Sequence, residues 1–113
     1  MTVVEYARAD GSNPYRAWFD SLHAQAAAKA ATAVVRLELG NLSRVKWVGT
    51  IGEYRIDWGP GYRIYLGKDG DTLVILLGGG TKQRQQGDID RAKAMWAEYR
   101  TRKAAAAKPR SKR

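Results

Sequence analysis

Two arginines, Arg55 and Arg63, lie eight residues apart in YRIDWGPGYRIY (residues 54–65), each inside an apolar, strand-like run. A guanidinium presents a planar fork of donors that matches phosphate oxygens, so two on one surface would suit a phosphodiester. A third cation, Lys82, follows the three glycines of LLGGGTKQRQQGDI, with Arg84 close behind. That glycine run lacks the G-x-x-x-x-G-K-[ST] spacing of a nucleotide loop, which argues against nucleotide binding. Asp57 and Tyr65 stand beside the arginines as groups that could assist proton transfer. With no cysteine and one histidine, the chain offers no thiol nucleophile, thiolate site or histidine metal cluster. No metal and no cofactor are therefore expected.

These residues must be gathered by a hairpin. If Gly59-Pro60-Gly61 is a three-residue loop, Trp58 pairs with Tyr62, Asp57 with Arg63, Ile56 with Ile64 and Arg55 with Tyr65. Strand side chains alternate between faces. Tyr54, Ile56, Trp58, Tyr62, Ile64 and Leu66 then form a core face. Glu53, Arg55, Asp57, Arg63 and Tyr65 form the opposite, polar face. The same geometry allows a plainly structural role, a cross-strand Arg63–Asp57 ion pair contributing about 0.2–1 kcal/mol. From the end of the next strand, expected over 72–77, the glycines read as a flexible basic turn that could bring Lys82 towards Arg55 and Arg63.

The elements on either side follow from period and capping signals. TVVEYA reads as a first strand, and Asn13-Pro14 as a helix cap followed by proline at the first helical position. Tyr15, Trp18, Phe19 and Leu22 then make an amphipathic stripe. An alanine-rich helix is expected over 24–39, ended by Gly40. A short connector holding His23 makes the two an antiparallel pair. From Leu42 short β-rich segments separated by glycine turns follow, then a last helix from about Asp88 with Ile89, Ala92, Trp96 and Tyr99 on one face. The order β-α-α-β-β-β-α predicts an α+β fold: an N-terminal strand, a two-helix hairpin, an antiparallel sheet covered mainly on one face, and a C-terminal helix.

At 113 residues the chain is long enough for one modest core, expected over 1–100. The net charge of +9 points to a polyanionic partner. Its distribution tempers that: residues 101–113, TRKAAAAKPRSKR, hold six basic and no acidic residues. They are expected to form a disordered basic tail, and without them 14 basic residues face 11 acidic ones. The tail could serve solubility or add salt-sensitive attraction to nucleic acid. No apolar run reaches the roughly 18 residues of a membrane span. The N-terminus lacks the basic-then-apolar order of a secretory signal, so a cytoplasmic location without membrane association is expected.

YRAWFDSL, LELGNLSRVKWVG, EYRIDWGPGYRIYLGKDGDTLVILLGGGTKQ and DIDRAKAMWAEY together resemble the RelE/ParE toxin superfamily, most closely its HigB-like branch of addiction-module killer proteins. The resemblance covers about residues 14–100. It implies the toxin of a type II toxin–antitoxin module, with a helix-turn-helix antitoxin as cognate partner. It also implies a metal-independent endoribonuclease that cuts mRNA on the ribosome and arrests translation. Carried over by motif, Arg55, Arg63 and Lys82 are the catalytic positions, Asp57 and Tyr65 assist, and Lys46 and Arg84 contact nucleic acid. The C-terminal tyrosine that several such nucleases use is missing, because that region reads QRQQGDI. Two alternatives stay open: a ParE-like poison of DNA gyrase, and an inactive remnant that only binds its antitoxin.

Overall fold

The computed structural model describes residues 1–107. It is an α+β fold with the element order β1 (Thr2–Glu5), α1 (Pro14–Asp20), α2 (Ala24–Glu38), β2 (Val45–Val48), β3 (Ile51–Ile56), β4 (Tyr62–Asp69), β5 (Leu73–Thr81) and α3 (Gln85–Ala107). A single 3₁₀ turn, Lys82–Arg84, joins β5 to α3. The sequence-based order is one strand short, because VKWV forms a strand of its own, β2, on the edge beside β3.

The helix ends follow their capping signals. The Asn13 side chain accepts from the backbone N–H of Arg16 at 3.0 Å, with Pro14 in the first turn, where its missing N–H costs nothing. Gly40 adopts a φ of +83° past the end of α2, and its N–H reaches the Leu37 carbonyl while that of Asn41 reaches Arg36. These paired bonds close the last turn on orphan carbonyls in a left-handed conformation that glycine adopts at little cost.

The sheet order is β1-β5-β4-β3-β2. β2 to β5 are antiparallel neighbours, but β1 runs parallel to β5, so the sheet is mixed and the expectation of a purely antiparallel one is corrected. The chain leaves β1, folds α1 and α2 over one face and enters at the opposite edge, so β1 is paired only once β5 returns to it.

The placement of α3 corrects a second expectation. Tyr54, Ile64, Leu66, Val74 and Leu76 pack under α1 and α2. On the opposite face Ile51, Tyr65, Ile75 and Leu77 pack under Ile89, Ala92, Met95 and Trp96 of α3. The sheet is thus covered on both faces, and β4 is buried along most of its length. The glycines after Leu77 are not a flexible turn, since β5 continues through Thr81. A Cβ on Gly79 would overlap the Trp18 indole, and one on Gly80 would overlap the Asp88 carboxylate. These glycines let α1 and the start of α3 sit close on the strand. The basic tail is corrected in part as well: Thr101–Ala107 continue α3, and 108–113 lie outside the described residues.

Candidate functional site

The hairpin loop is longer than three residues, and this changes every partner across it. β3 ends at Ile56 and β4 begins at Tyr62, leaving Asp57–Gly61 as the connection. Gly61 N–H bonds the Trp58 carbonyl at 3.1 Å, and Gly59 and Gly61 both adopt left-handed φ, +58° and +79°. A turn closed inside the loop draws Trp58 out of the ladder. Ile56 therefore faces Tyr62, Arg55 faces Arg63, Tyr54 faces Ile64 and Glu53 faces Tyr65. The expected Asp57–Arg63 pairing does not form. Asp57 is exposed in the loop and makes no ion pair among the described residues.

The shift from the expected register is two residues, an even number. Because side chains alternate with period two, it leaves the face assignments of the strand residues intact and alters only their partners. Glu53, Arg55, Arg63 and Tyr65 still share one face, now as a compact block of two rows on two strands.

Two guanidiniums directly opposite each other repel, and Glu53 offsets this from the neighbouring row. It is fully buried. Its Oε1 accepts from Arg55 Nε at 3.0 Å, while Oε2 lies 3.7 Å from Arg63 Nε and accepts from Gln85 Nε2 at 2.7 Å. The first residue of α3 thus supplies a further donor to a carboxylate that water cannot reach. The two arginines differ in access. The Arg63 side chain is 6% exposed and donates from Nη1 to the Gly61 carbonyl at 3.0 Å, whereas that of Arg55 is 38% exposed.

Lys82 is brought to the same turn. Its backbone N–H donates to the Gly61 carbonyl at 2.9 Å, so one oxygen ties the Arg63 guanidinium to the start of the 3₁₀ turn. The Lys82 side chain is exposed, as is that of Arg84 within the turn. Lys46 stands opposite Glu53 on β2, exposed at the sheet edge. None of Lys46, Lys82 and Arg84 forms an ion pair among the described residues.

Tyr65 is placed differently from its expected supporting role. It is 1% exposed in the core beneath α3. Burial first, then the Glu53 and Asp88 carboxylates, push its phenol well above the usual tyrosine range. A neutral, enclosed phenol is poorly suited to exchange a proton with a surface ligand at neutral pH.

The structure therefore gathers Arg55, Arg63 and Lys82 at one end of the sheet, with Asp57 on the adjoining loop. It shows Tyr65 to be a core residue. Glu53 and Gln85 were not anticipated as part of the site. The available signal for Glu53 was its spacing, two residues before Arg55 on the same strand and so on the same face. Nothing local marks Gln85, because the position of α3 is a tertiary outcome.

No protein-family model matches the chain. Over 86 residues it is 42% identical to an uncharacterized protein of Haemophilus influenzae (strain ATCC 51907 / DSM 11121 / KW20 / Rd), a match that covers 74% of this chain and 87% of that protein.

Proposed function

The chain belongs to the family of the Haemophilus influenzae protein, and we propose that it acts as the toxin of a type II toxin–antitoxin module, a RelE/ParE-like endoribonuclease that cuts mRNA on the ribosome in the cytoplasm. One observation carries the reading: Arg55 and Arg63 stand side by side on adjacent strands, and the Gly61 carbonyl binds both the Arg63 guanidinium and the Lys82 backbone. The site has a cationic floor, held by Glu53, with Arg55 and Lys82 open to a ligand.

The chemistry is an internal transfer at phosphorus. The ribose 2′-oxygen attacks the adjacent phosphodiester, the P–O5′ bond breaks, and a 2′,3′-cyclic phosphate and a 5′-hydroxyl result. The 2′-hydroxyl gives up a proton and the departing O5′ gains one. Arg55 and Lys82 meet the non-bridging oxygens, whose charge rises as the phosphorane forms, and preorganised donors of this kind are worth about 10²–10³ in rate. Arg63 holds the potential of the site positive from beneath. Asp57 is the exposed carboxylate beside Arg55 and takes the 2′ proton, a role typically worth about 10²–10⁴. The ribosome supplies positioning. The proposed cognate antitoxin is a helix-turn-helix protein encoded by a neighbouring gene.

The test is a translating extract in which cleavage of ribosome-bound mRNA is mapped after addition of the purified protein. Wild type should cut in the A site. Arg55→Gln and Lys82→Gln should each reduce cutting by at least about tenfold. Lys82 is exposed and its change should leave the thermal midpoint nearly unaltered, whereas Arg55→Gln is read together with a stability measurement because Arg55 Nε donates to the buried Glu53. Full activity in both variants would refute the site. Arg63→Ala should abolish cutting, read together with a stability measurement because that side chain is buried. One observation favours the gyrase-poisoning or antitoxin-binding alternatives: the Arg63 side chain is almost inaccessible, with its Nε 3.7 Å from the Glu53 carboxylate. DNA damage before any loss of translation on induction would select the first alternative, and no growth arrest the second.

A further inference from the structure

β2 covers only part of its neighbour. Its last ladder partner on β3 is Tyr54, and beyond it Arg55 N–H reaches the Arg44 carbonyl at 3.2 Å. The end of β3 and the loop after it are bordered instead by the α2–β2 connection and by α2 itself. Two adjoining cavities of about 270 Å³ each open at this corner, and both are lined by Arg44, Arg55 and Asp57. Lys29 and Arg36 of α2 reach the first, and Lys46 of β2 the second.

We propose that this corner is a trough for the phosphodiester backbone of RNA that extends the reactive site along α2 and β2, the two sharing Arg55 and Asp57. Five cations and one carboxylate line it, and only Arg55 among the five is ion-paired within the described residues. Unpaired like charges around a concavity repel one another, and a polyanion relieves that repulsion while releasing its own counterions. The trough suits backbone rather than bases, because its aromatic wall is already engaged: Trp58 stacks on Tyr62 at 6.1 Å and carries the Lys29 ammonium at 5.7 Å. Binding there is accordingly independent of sequence.

The inference rests on the RNA-directed reading above, and its test separates the two. Full-length protein carrying Arg36→Gln and Arg44→Gln, both exposed positions, is titrated against a 2′-O-methyl single strand of about twelve nucleotides, which cannot be cleaved. In parallel it is titrated against vacant ribosomes, and cleavage of ribosome-bound mRNA is measured with wild type. Each lost single-strand phosphate contact lowers the log–log salt slope by about 0.7, so the double variant should lose about 1.4. Its affinity then falls about sevenfold less than that of wild type between 50 and 200 mM salt. Loss on the oligonucleotide assigns the trough to the message, and loss on vacant ribosomes alone assigns it to ribosomal RNA. Unchanged affinity and slope on both RNAs overturn the trough, even if the variant binds an acidic antitoxin less well, which would make the surface a protein interface. Lys29→Gln with Lys46→Gln repeats the test should the first pair fold poorly. Wild type that fails to cut message overturns the nuclease reading, while a reduced slope would still support the trough.

Discussion

Glu53→Gln should cost about 3 kcal/mol of folding free energy. Glu53 is fully buried, and its charge lies 3.7 Å from Arg63 Nε. At an effective dielectric constant of about 20, unit charges at that distance attract by about 4.5 kcal/mol before desolvation is counted. The amide keeps the shape and an acceptor for Gln85 but removes the charge, leaving a nearly buried guanidinium facing another directly across the ladder. Breaking a buried pair from one side typically costs about 3–5 kcal/mol. The Arg55 side chain, 38% exposed, can turn to water, which places the expectation at the lower end. In a domain of this size that is a fall in Tm of about 12–20 °C. The assay is urea denaturation, with m unchanged if only the native state is affected. Adding Arg63→Gln removes the stranded cation, so the double variant should fall short of the summed single losses by at least about 1.5 kcal/mol. A loss below about 1 kcal/mol for Glu53→Gln, or an additive double variant, would refute Glu53 as the counter-charge that lets the arginines share a surface.

Gly79→Ala should destabilise by about 1–3 kcal/mol, because the added Cβ must displace the Trp18 indole, whereas at Gly78 it meets only the end of Met95 at 3.9 Å and should change stability by no more than about 0.5 kcal/mol. Equal effects in chemical denaturation would contradict the close seating of α1 on β5. Stability should be flat just below pH 10 and fall between pH 10 and 12. Burial raises Tyr15 to about 12, and burial followed by its hydrogen bond to Asp69 raises Tyr99 to about 12. An unfolded phenol ionises near 10, so the protons held by the native state are a stabilisation lost as pH climbs through that window. Phenolate absorbance at 295 nm rising well before unfolding would show that these rings are not protected.

The faces of the hairpin were legible in the sequence, and its partners were not. Alternation assigns Tyr54, Ile56 and Ile64 to one side and Arg55 and Arg63 to the other whatever the loop length, provided the slip is even. GPG can close a three-residue loop, but Gly59 and Gly61 in left-handed conformations close a five-residue connection instead. The helix caps at Asn13 and Gly40 were readable because they depend on local chemistry. The seat of α3 was not, since a stripe of Ile89, Ala92 and Trp96 says that a helix has an apolar face but not which side of a sheet receives it. That missing fact hid the burial of Tyr65 and Glu53. A glutamate in a strand ordinarily marks solvent, and this one is enclosed because the first turn of α3 closes over it and supplies Gln85.

The same closure divides the two arginines by role. Arg63 is packed, hydrogen-bonded to Gly61 and set against Glu53, so its orientation is fixed at the expense of access. Arg55 shares the same carboxylate but keeps more than a third of its side chain in solvent, and it lines both cavities of the corner trough. A charge that must meet a phosphate has to be reachable, and a charge that must hold a shape need not be. Arg55 is therefore the residue through which a backbone in the trough and a phosphodiester at the reactive site would be felt together. Arg55→Lys keeps the charge but loses the fork that serves Glu53 on one side and a ligand on the other. It should weaken oligonucleotide binding and message cleavage together, while Arg36→Lys, which serves the trough alone, should leave both near wild type. Equal effects of the two lysine substitutions would show that the corner responds to charge alone and that Arg55 bridges nothing.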